Sequence, residues 1–153
     1  MAEIIVRFDH RVIEKIPKRP HVAFELIGLI FSGWILFPSS LILMLFDRLL
    51  GFHVLEALVL STVSSEILKV VVGRPRPERE GRTPWGYSFP STHTTRVASL
   101  IPVFWKLSPN LGIIVVVVAI IVAISRVLSR AHYPSDVVAG FFLGYAMGWF
   151  VTW

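Results

Sequence analysis

The fourteen-residue stretch LGIIVVVVAIIVAI, which begins at Leu111, contains no charged side chain. It forms the middle of an apolar run from Asn110 to Leu128. A bilayer core about 30 Å thick is crossed by ~20 mostly apolar residues of α-helix. We therefore predict that this run spans a membrane. The alternative is that this run is a buried helix of a soluble protein. The other apolar runs of the chain argue against that alternative.

Four further runs have a similar character in this chain of 153 residues, of which 54% are hydrophobic. They extend from Val22 to Phe46, from Phe52 to Val72, from Ser91 to Trp105 and from Pro134 to Trp153. Helices satisfy their own backbone hydrogen bonds in lipid. The sequence therefore predicts an all-α fold, a multi-pass transmembrane helical bundle of about five spans, built as one domain over residues 1–153. Pro38 predicts a kink in the first span.

Two periodic patterns add detail to this bundle. Residues 1–20 intersperse apolar side chains with basic ones, which predicts an amphipathic helix lying along the membrane surface. In the last span, Gly140, Gly144 and Gly148 recur at every fourth residue. Small residues at this spacing let two helix backbones approach closely, so we expect this face to pack inside the bundle.

The basic residues are distributed unevenly between the two ends of the predicted spans. Five lie in the N-terminal segment, five lie between Lys69 and Arg82, and Arg126 and Arg130 bring that side to twelve, against Arg48 and Lys106 on the other. The positive-inside rule then predicts that the twelve-residue side faces the cytosol. A net charge of +5 on a membrane protein points to anionic lipid headgroups as partners rather than to nucleic acid.

Two polar clusters fall on this basic side. The first, KVVVGRPRP, contains Lys69, Arg74 and Arg76, whose cationic groups suit phosphate oxygens, although a snorkelling cluster is an alternative interpretation. The second, FPSTHTTR, predicts a helix that begins at Ser91, with His93 in its first turn. A helix N-terminus favours an anion, although simple capping by Ser91 is equally compatible with the pattern.

The third cluster, SRVLSRAHYPSD, completes the set. Pro134 predicts the first position of a helix, with His132 just before it and Asp136 in its first turn. A carboxylate on one ring nitrogen of a histidine fixes the tautomer and makes the other nitrogen a better nucleophile. Together, the three clusters supply cations, two histidines and a carboxylate on one membrane face. Phosphoryl transfer needs this combination of charge neutralisation, nucleophile and acid.

At these residues the sequence resembles the type 2 phosphatidic acid phosphatase superfamily of membrane lipid phosphatases. Lys69 is followed after six residues by Arg76-Pro77. Next come Pro90-Ser91-Thr92-His93, and finally Ser125-Arg126, five residues, His132, three residues and Asp136. Order and spacing agree with the family pattern over about 70 residues. One departure is Thr92, which stands where the family usually has glycine.

The resemblance implies a role for each of these residues. His132 is the expected nucleophile, which forms a phosphohistidine, Asp136 orients it, and His93 protonates the leaving oxygen. The residues expected to bind the phosphoryl oxygens are Lys69, Arg76, Ser91, Thr92 and Arg126. The family implies no metal and no other cofactor.

The sequence defines the substrate and the functional class of the protein less closely than it defines the motif residues. Two stretches, YSFPSTHTTR and HVAFELIGLIFSGW, resemble the small branch that acts on isoprenoid diphosphates such as presqualene diphosphate. Phosphatidic acid and phosphatidylglycerophosphate are the alternative substrates. A zinc hydrolase using His93, His132 and Asp136 is another possible enzyme class. A non-catalytic lipid-binding or transport protein of the same fold is the alternative outside enzymes.

Charged residues within the apolar runs raise a separate question. Glu66 and Lys69 are three residues apart and are expected to pair on one helix face. Glu25 has no evident partner in the sequence. Charges at membrane depth are usually paired or functional, so Glu25 is expected to pair in the bundle or to contact substrate.

Overall fold

The computed structural model describes residues 2–18, 21–77 and 86–152 of the chain. The described parts are mainly α-helical, as the sequence predicts. The helices are α1 (Ala2–Glu14), α2 (Val22–Ile30), α3 (Gly33–Phe46), α4 (Arg48–Val72), α5 (Thr92–Leu107), α6 (Pro109–Leu128) and α7 (Pro134–Thr152). Arg19, Arg79, Arg82 and Trp153, which figured in the charge count or the last predicted span, lie outside the described residues.

Helix α5 is the centre of the bundle, with α4, α6 and α7 packed around it. One buried cluster joins α5 to α6 through Val97, Ala98 and Val122. A second cluster joins α5 to α4 through Leu58 and Val103. Because neighbouring helices enclose α5, this short helix can carry hydroxyl groups and Arg96 without exposing them to lipid.

The glycines of α7 allow its close contact with α5. A Cβ added to Gly140 would lie 2.8 Å from the backbone oxygen of Ser91. Cβ atoms added to Gly144 and Gly148 would overlap the backbone oxygens of Thr95 and Ser99. The predicted internal packing of this glycine face is therefore confirmed. It holds α5 and α7 parallel, with the N-termini of both helices at the same end of the bundle.

We expect Gly144→Val to destabilise the protein, because the added side chain meets backbone that cannot move away cheaply. Overpacking a close contact of this kind costs about 1–3 kcal/mol. Thermal unfolding in detergent should show a lower Tm for this variant. Ala146→Val is the matched control, since Ala146 is exposed on the same helix. Equal Tm values for both variants would contradict the close packing of α5 and α7.

The first apolar run consists of two helices. Phe31 ends α2, and Ser32, in extended conformation, is the N-cap of α3. The chain therefore breaks at Phe31–Ser32, while Pro38, where the sequence predicted a kink, lies inside α3. The break separates the partners of the two helices, because α2 packs mainly against α6 and α3 against α4.

Among the described residues, three segments are long and apolar enough to cross a membrane. These are Val22–Phe46, taken through the break, Pro109–Leu128 and Pro134–Thr152. Helix α4 is long enough, but it carries more polar residues, and α5 has only 16 residues. The count of five spans therefore stays a prediction. The multi-pass character is supported by the apolar outer surface, where Trp34, Leu45 and Phe46 are more than four-fifths exposed.

Helix α1 is amphipathic and ends at Glu14, whereas the sequence analysis extended the helix over residues 1–20. Ile4, Ile5 and Phe8 are exposed, whereas Asp9 and Ile13 are buried against the rest of the protein. The exposed apolar side chains fit the expected position at a membrane surface, which stays a prediction. The buried face brings α1 beside the start of α7.

Candidate active site

His132 lies in the short loop between α6 and α7. Helix α6 ends at Leu128, and the chain reverses through Arg130, whose φ of 54° lies in the left-handed region. Pro134 then begins α7, as predicted, because its fixed φ suits the first helical position. The turn buries the His132 side chain, which is only 2% exposed.

One backbone carbonyl sets the tautomer of the His132 ring. Nδ1 of His132 lies 2.7 Å from the backbone oxygen of Ser88. A carbonyl oxygen only accepts hydrogen bonds, so Nδ1 carries the proton in this contact. In the neutral ring the lone pair is then on Nε2, the nitrogen that a nucleophilic histidine uses in this tautomer.

Asp136 lies beside His132, as the spacing predicts, but not within hydrogen-bond length of the ring. Its Oδ2 lies 3.7 Å from His132 Nδ1, which is beyond ordinary hydrogen-bond length. Oδ2 accepts a hydrogen bond from the backbone N–H of Tyr133 at 2.8 Å, and Oδ1 accepts one from Arg74 at 2.7 Å. The ring therefore bonds directly to the Ser88 carbonyl, with the Asp136 carboxylate nearby.

The surroundings of His132 favour its neutral form. Burial lowers the pKa of His132 below its ordinary value, and the charge of Arg76 lowers it further. The contacts with Asp136 and Ser88 raise the pKa and oppose part of this effect. A neutral imidazole at neutral pH is the form able to attack an electrophile.

Lys69 is near the end of α4, where Gly73 in the left-handed conformation closes the helix. The Lys69 ammonium contacts Glu66 Oε1 at 2.6 Å, which confirms the predicted pair. It also donates to the hydroxyl of Thr92, and that hydroxyl lies 2.8 Å from the same Glu66 oxygen. Thr92, the departure from the family pattern, therefore joins Lys69 and Glu66 through its hydroxyl group.

Ser91 is the N-cap of α5, as predicted, but its side chain makes no capping hydrogen bond. Its backbone N–H donates to the carbonyl of Asp136 at 3.0 Å, and its hydroxyl accepts from Thr94. Ser91 is fully buried. This N–H group therefore links the starts of α5 and α7, and anion binding by the N–H groups of the following turn stays a prediction.

A polar pocket of about 460 Å³ opens beside the His132 loop. Three of the predicted site residues line it, namely Arg76, His93 and Arg126. The other predicted residues, Lys69, Ser91, Thr92, His132 and Asp136, are buried. The remaining lining residues include Glu25, Gly28, Ser32, Arg130 and Ala131, the last of which precedes His132 in the chain.

Gly28 accommodates the Arg126 side chain at this pocket. A Cβ on Gly28 would overlap the guanidinium group, so only glycine leaves this space free. Arg126 Nη2 donates to the carbonyl of Phe24. Among the described residues, Arg126 Nε and the Ser32 hydroxyl are buried polar atoms without a hydrogen-bond partner. Both residues line the polar pocket.

The proposed zinc site is not supported by the arrangement of its residues. Over the ranges 2–18, 21–77 and 86–152, no three His, Asp or Glu side chains form a group that could hold a metal ion. His93, His132 and Asp136 all belong to those ranges. His132 Nδ1 is also engaged by the Ser88 carbonyl.

Ser88, Arg74 and Glu25 have positions in the site that the sequence analysis did not assign to them. Ser88 acts through its backbone carbonyl, for which no side-chain pattern exists. Arg74 was placed among the phosphate-facing cations, but it bonds Asp9 and Asp136 instead. Glu25, for which the sequence offers no partner, lines the same pocket as Arg126. The single acidic residue on the buried face of α1, Asp9, was the available signal for the contact with Arg74.

The chain is similar to known proteins in sequence and in fold. The sequence model of the PAP2 superfamily matches residues 50–153. A lipid A 1-phosphatase of Rhizobium etli is 34% identical over 112 residues, which cover 66% of this chain and 47% of that protein. An undecaprenyl-diphosphatase of Sulfolobus acidocaldarius is 30% identical over 121 residues, covering 72% and 58%. The chain thus spans about half the length of these relatives.

The fold comparison extends over nearly the whole chain. The crystal structure of Aquifex aeolicus LpxE superposes with a TM-score of 0.77, covering 97% of this chain and 94% of that one, at 23% identity. This likeness includes the region of α1 to α3 that precedes the family match. With the motif residues and the match over residues 50–153, it leads to one conclusion: the chain is an integral membrane protein that belongs to the PAP2 superfamily.

Proposed function

We propose that this protein is a membrane lipid phosphatase that hydrolyses a lipid phosphate or diphosphate through a phosphohistidine at His132. The observation that carries the proposal is the contact of His132 Nδ1 with the Ser88 carbonyl, which leaves the lone pair on Nε2. This ring lies beside a pocket lined by Arg76, His93 and Arg126. In the proposal, His132 is the nucleophile, His93 is the acid, and the two arginines bind the phosphate group.

The reaction has two steps in this scheme. Nε2 of His132 attacks phosphorus, the bond to the leaving oxygen breaks, and His93 gives that oxygen a proton. Water then attacks the phosphohistidine, His93 accepts a proton from it, and inorganic phosphate leaves with His132 regenerated. Arg76 and Arg126 stabilise the charge on the phosphoryl oxygens during both steps.

The buried residues support this pocket from behind. Lys69 is held between Glu66 and Thr92, with its charge directed to the N-terminal end of α5. Ser91 links α5 to the backbone of Asp136. In the proposal, Lys69, Ser91 and Thr92 complete the phosphate-binding environment, and Asp136 supplies negative charge near the His132 ring.

We further propose an isoprenoid diphosphate as the preferred substrate. The pocket has three cationic lining residues, Arg76, Arg126 and Arg130, which suits a diphosphate better than a monophosphate. The similarity to an undecaprenyl-diphosphatase supports this assignment. A lipid A phosphate is the second candidate, because the chain is 34% identical to a lipid A 1-phosphatase.

Measuring phosphate release from a panel of lipids in one detergent tests both the phosphatase activity and the preferred substrate. We expect the highest kcat/KM for an isoprenoid diphosphate, lower values for lipid A, phosphatidic acid and phosphatidylglycerophosphate, and poor hydrolysis of soluble phosphate esters. A preference for lipid A or phosphatidic acid would refute the isoprenoid assignment and leave the phosphatase mechanism intact. Binding of these lipids without phosphate release would favour the non-catalytic alternative.

The uneven basic charge supports an active site on the cytosolic side of the membrane. The chain has no cysteine, so single cysteines can be introduced without background. Lys18→Cys should react with an impermeant thiol reagent only after the cytosolic face is opened. Asn110→Cys, exposed at the start of α6, is the control and should react in intact cells. The reversed labelling pattern would place the active site on the outer side.

A further inference from the structure

Helix α1 contributes one fully buried carboxylate, Asp9, to the region behind the active site. Asp9 is 0% exposed, although most of α1 faces outward. Its Oδ2 accepts hydrogen bonds from Arg74 at 2.7 Å and from the Ser135 hydroxyl at 2.5 Å. Its Oδ1 accepts one from the backbone N–H of Ser135 at 3.1 Å. A buried carboxylate is tolerated when it is paired and hydrogen-bonded in this way.

Arg74 connects Asp9 to the catalytic loop. Its Nη2 bonds Asp9, while its Nη1 bonds Asp136 Oδ1 at 2.7 Å and the Ser135 hydroxyl at 2.6 Å. The guanidinium carbon also lies 4.1 Å from the centre of the Tyr133 ring. Asp9 and Asp136 thus share one cation. The other oxygen of Asp136 is the one that lies 3.7 Å from His132 Nδ1.

The charge of this group has a consequence for the reaction. Two carboxylates and one guanidinium carry a net charge of −1 beside a neutral His132. The ring gains positive character when Nε2 bonds phosphorus, and a nearby negative charge stabilises that state. Without the carboxylate of Asp9, the charges of Arg74 and Asp136 would cancel, and no net negative charge would remain beside His132.

We infer that Asp9 is a positioning residue for the proposed reaction, which holds Arg74 against Asp136 and preserves the negative charge behind His132. The inference rests on the proposed function for its effect on turnover. It assigns a part of the site to α1, which precedes residues 50–153 that match the family.

A purely structural role for Asp9, as an anchor of α1, makes a different prediction. Helix α1 has independent attachments, since Arg130 Nη1 donates to the carbonyls of Ile13 and Ile16 at 2.9 and 2.7 Å. The Ile13 side chain is also buried. Ile13→Ala weakens the docking of α1 without altering any charge, so it is the matched control for Asp9→Asn.

The decisive readout is the titration of His132. The charged or titratable groups around the ring are Asp136 on α7, Arg76 and Arg74 after α4, and His93 on α5. Removing the charge of Asp9 makes an imidazolium less favourable, so Asp9→Asn should lower the pKa of His132. NMR of the selectively labelled histidine in the full-length protein measures this pKa whether or not a substrate is known.

Kinetics provide the second readout. For Asp9→Asn we expect kcat to fall about tenfold or more while KM stays within about twofold, because the change acts on the reacting state. The acid limb of kcat/KM, where His132 becomes protonated, should move to lower pH. Asp9→Glu should restore part of kcat. Ile13→Ala should lower Tm and leave the acid limb in place.

An unchanged His132 pKa in Asp9→Asn would overturn the inference, as would the same shift in Ile13→Ala. These results do not depend on turnover. Absence of phosphate release from the wild-type protein across the lipid panel would overturn the proposed function instead. The NMR titration would then still decide whether Asp9 controls the charge at His132.

Discussion

Replacing His132 with alanine is expected to abolish turnover, with a loss of kcat on the order of 10⁴-fold or more. The ring is buried, its Nδ1 donates to the Ser88 carbonyl, and its Nε2 is the available lone pair. Phosphate release from the preferred lipid in detergent provides the measurement.

A folding defect must be separated from the loss of a nucleophile in this experiment. His132→Ala removes a buried ring and its hydrogen bond to the Ser88 carbonyl, so a lower Tm is expected, and a monodisperse size-exclusion profile with a cooperative unfolding transition shows that the variant is folded. His93→Ala is the companion variant. It should lose less activity with substrates whose leaving group needs no proton. Near wild-type turnover in His132→Ala would remove this residue from the mechanism.

Arg126→Ala is expected to have the second largest effect on turnover. We expect kcat to fall about 10²–10³-fold, which is typical when one preorganised group that stabilises transition-state charge is removed. Its guanidinium lies against Gly28 at the pocket wall, and its Nε has no partner within the described part of the chain. Arg126→Lys should recover only part of the loss, since an ammonium cannot reproduce a planar fork.

Gly28→Ala tests the same assignment without touching Arg126. The added Cβ displaces the guanidinium, which is the flexible end of its side chain, and should reproduce part of the Arg126→Ala loss. On an Arg126→Ala background, Gly28→Ala should have little further effect, because no guanidinium remains to be displaced. Additive losses in the double variant would show that Gly28 acts independently of Arg126.

The sequence predicts most of the architecture because the lipid environment restricts it. Apolar runs of membrane length specify helices, and the glycine face of α7 predicts its close contact with α5. The break at Ser32 escaped prediction, since the apolar run continues through it without a proline or a charge. Pro38 is a stronger sequence signal for a helix kink than Ser32 is, although α3 continues through Pro38.

The motif residues of the site could also be identified from spacing, but their contacts could not. Spacing brings His132 and Asp136 near each other and leaves open whether they bond directly. The role of the Ser88 carbonyl cannot be read from the sequence, because every residue has a backbone carbonyl. Asp9 and Arg74 are far apart in the chain, and only the docking of α1 brings them together. Tertiary contacts of this kind decide which cations face the pocket.

The most direct test of the mechanism is to trap the covalent intermediate. Rapid acid-free quenching after mixing the protein with a lipid labelled with ³²P at its terminal phosphate should yield a labelled protein. The label should be stable in alkali, labile in acid, and located on the peptide that contains His132. Label on another residue, or turnover without any labelled protein under conditions that trap phosphohistidine in a known histidine phosphatase, would contradict nucleophilic attack by His132.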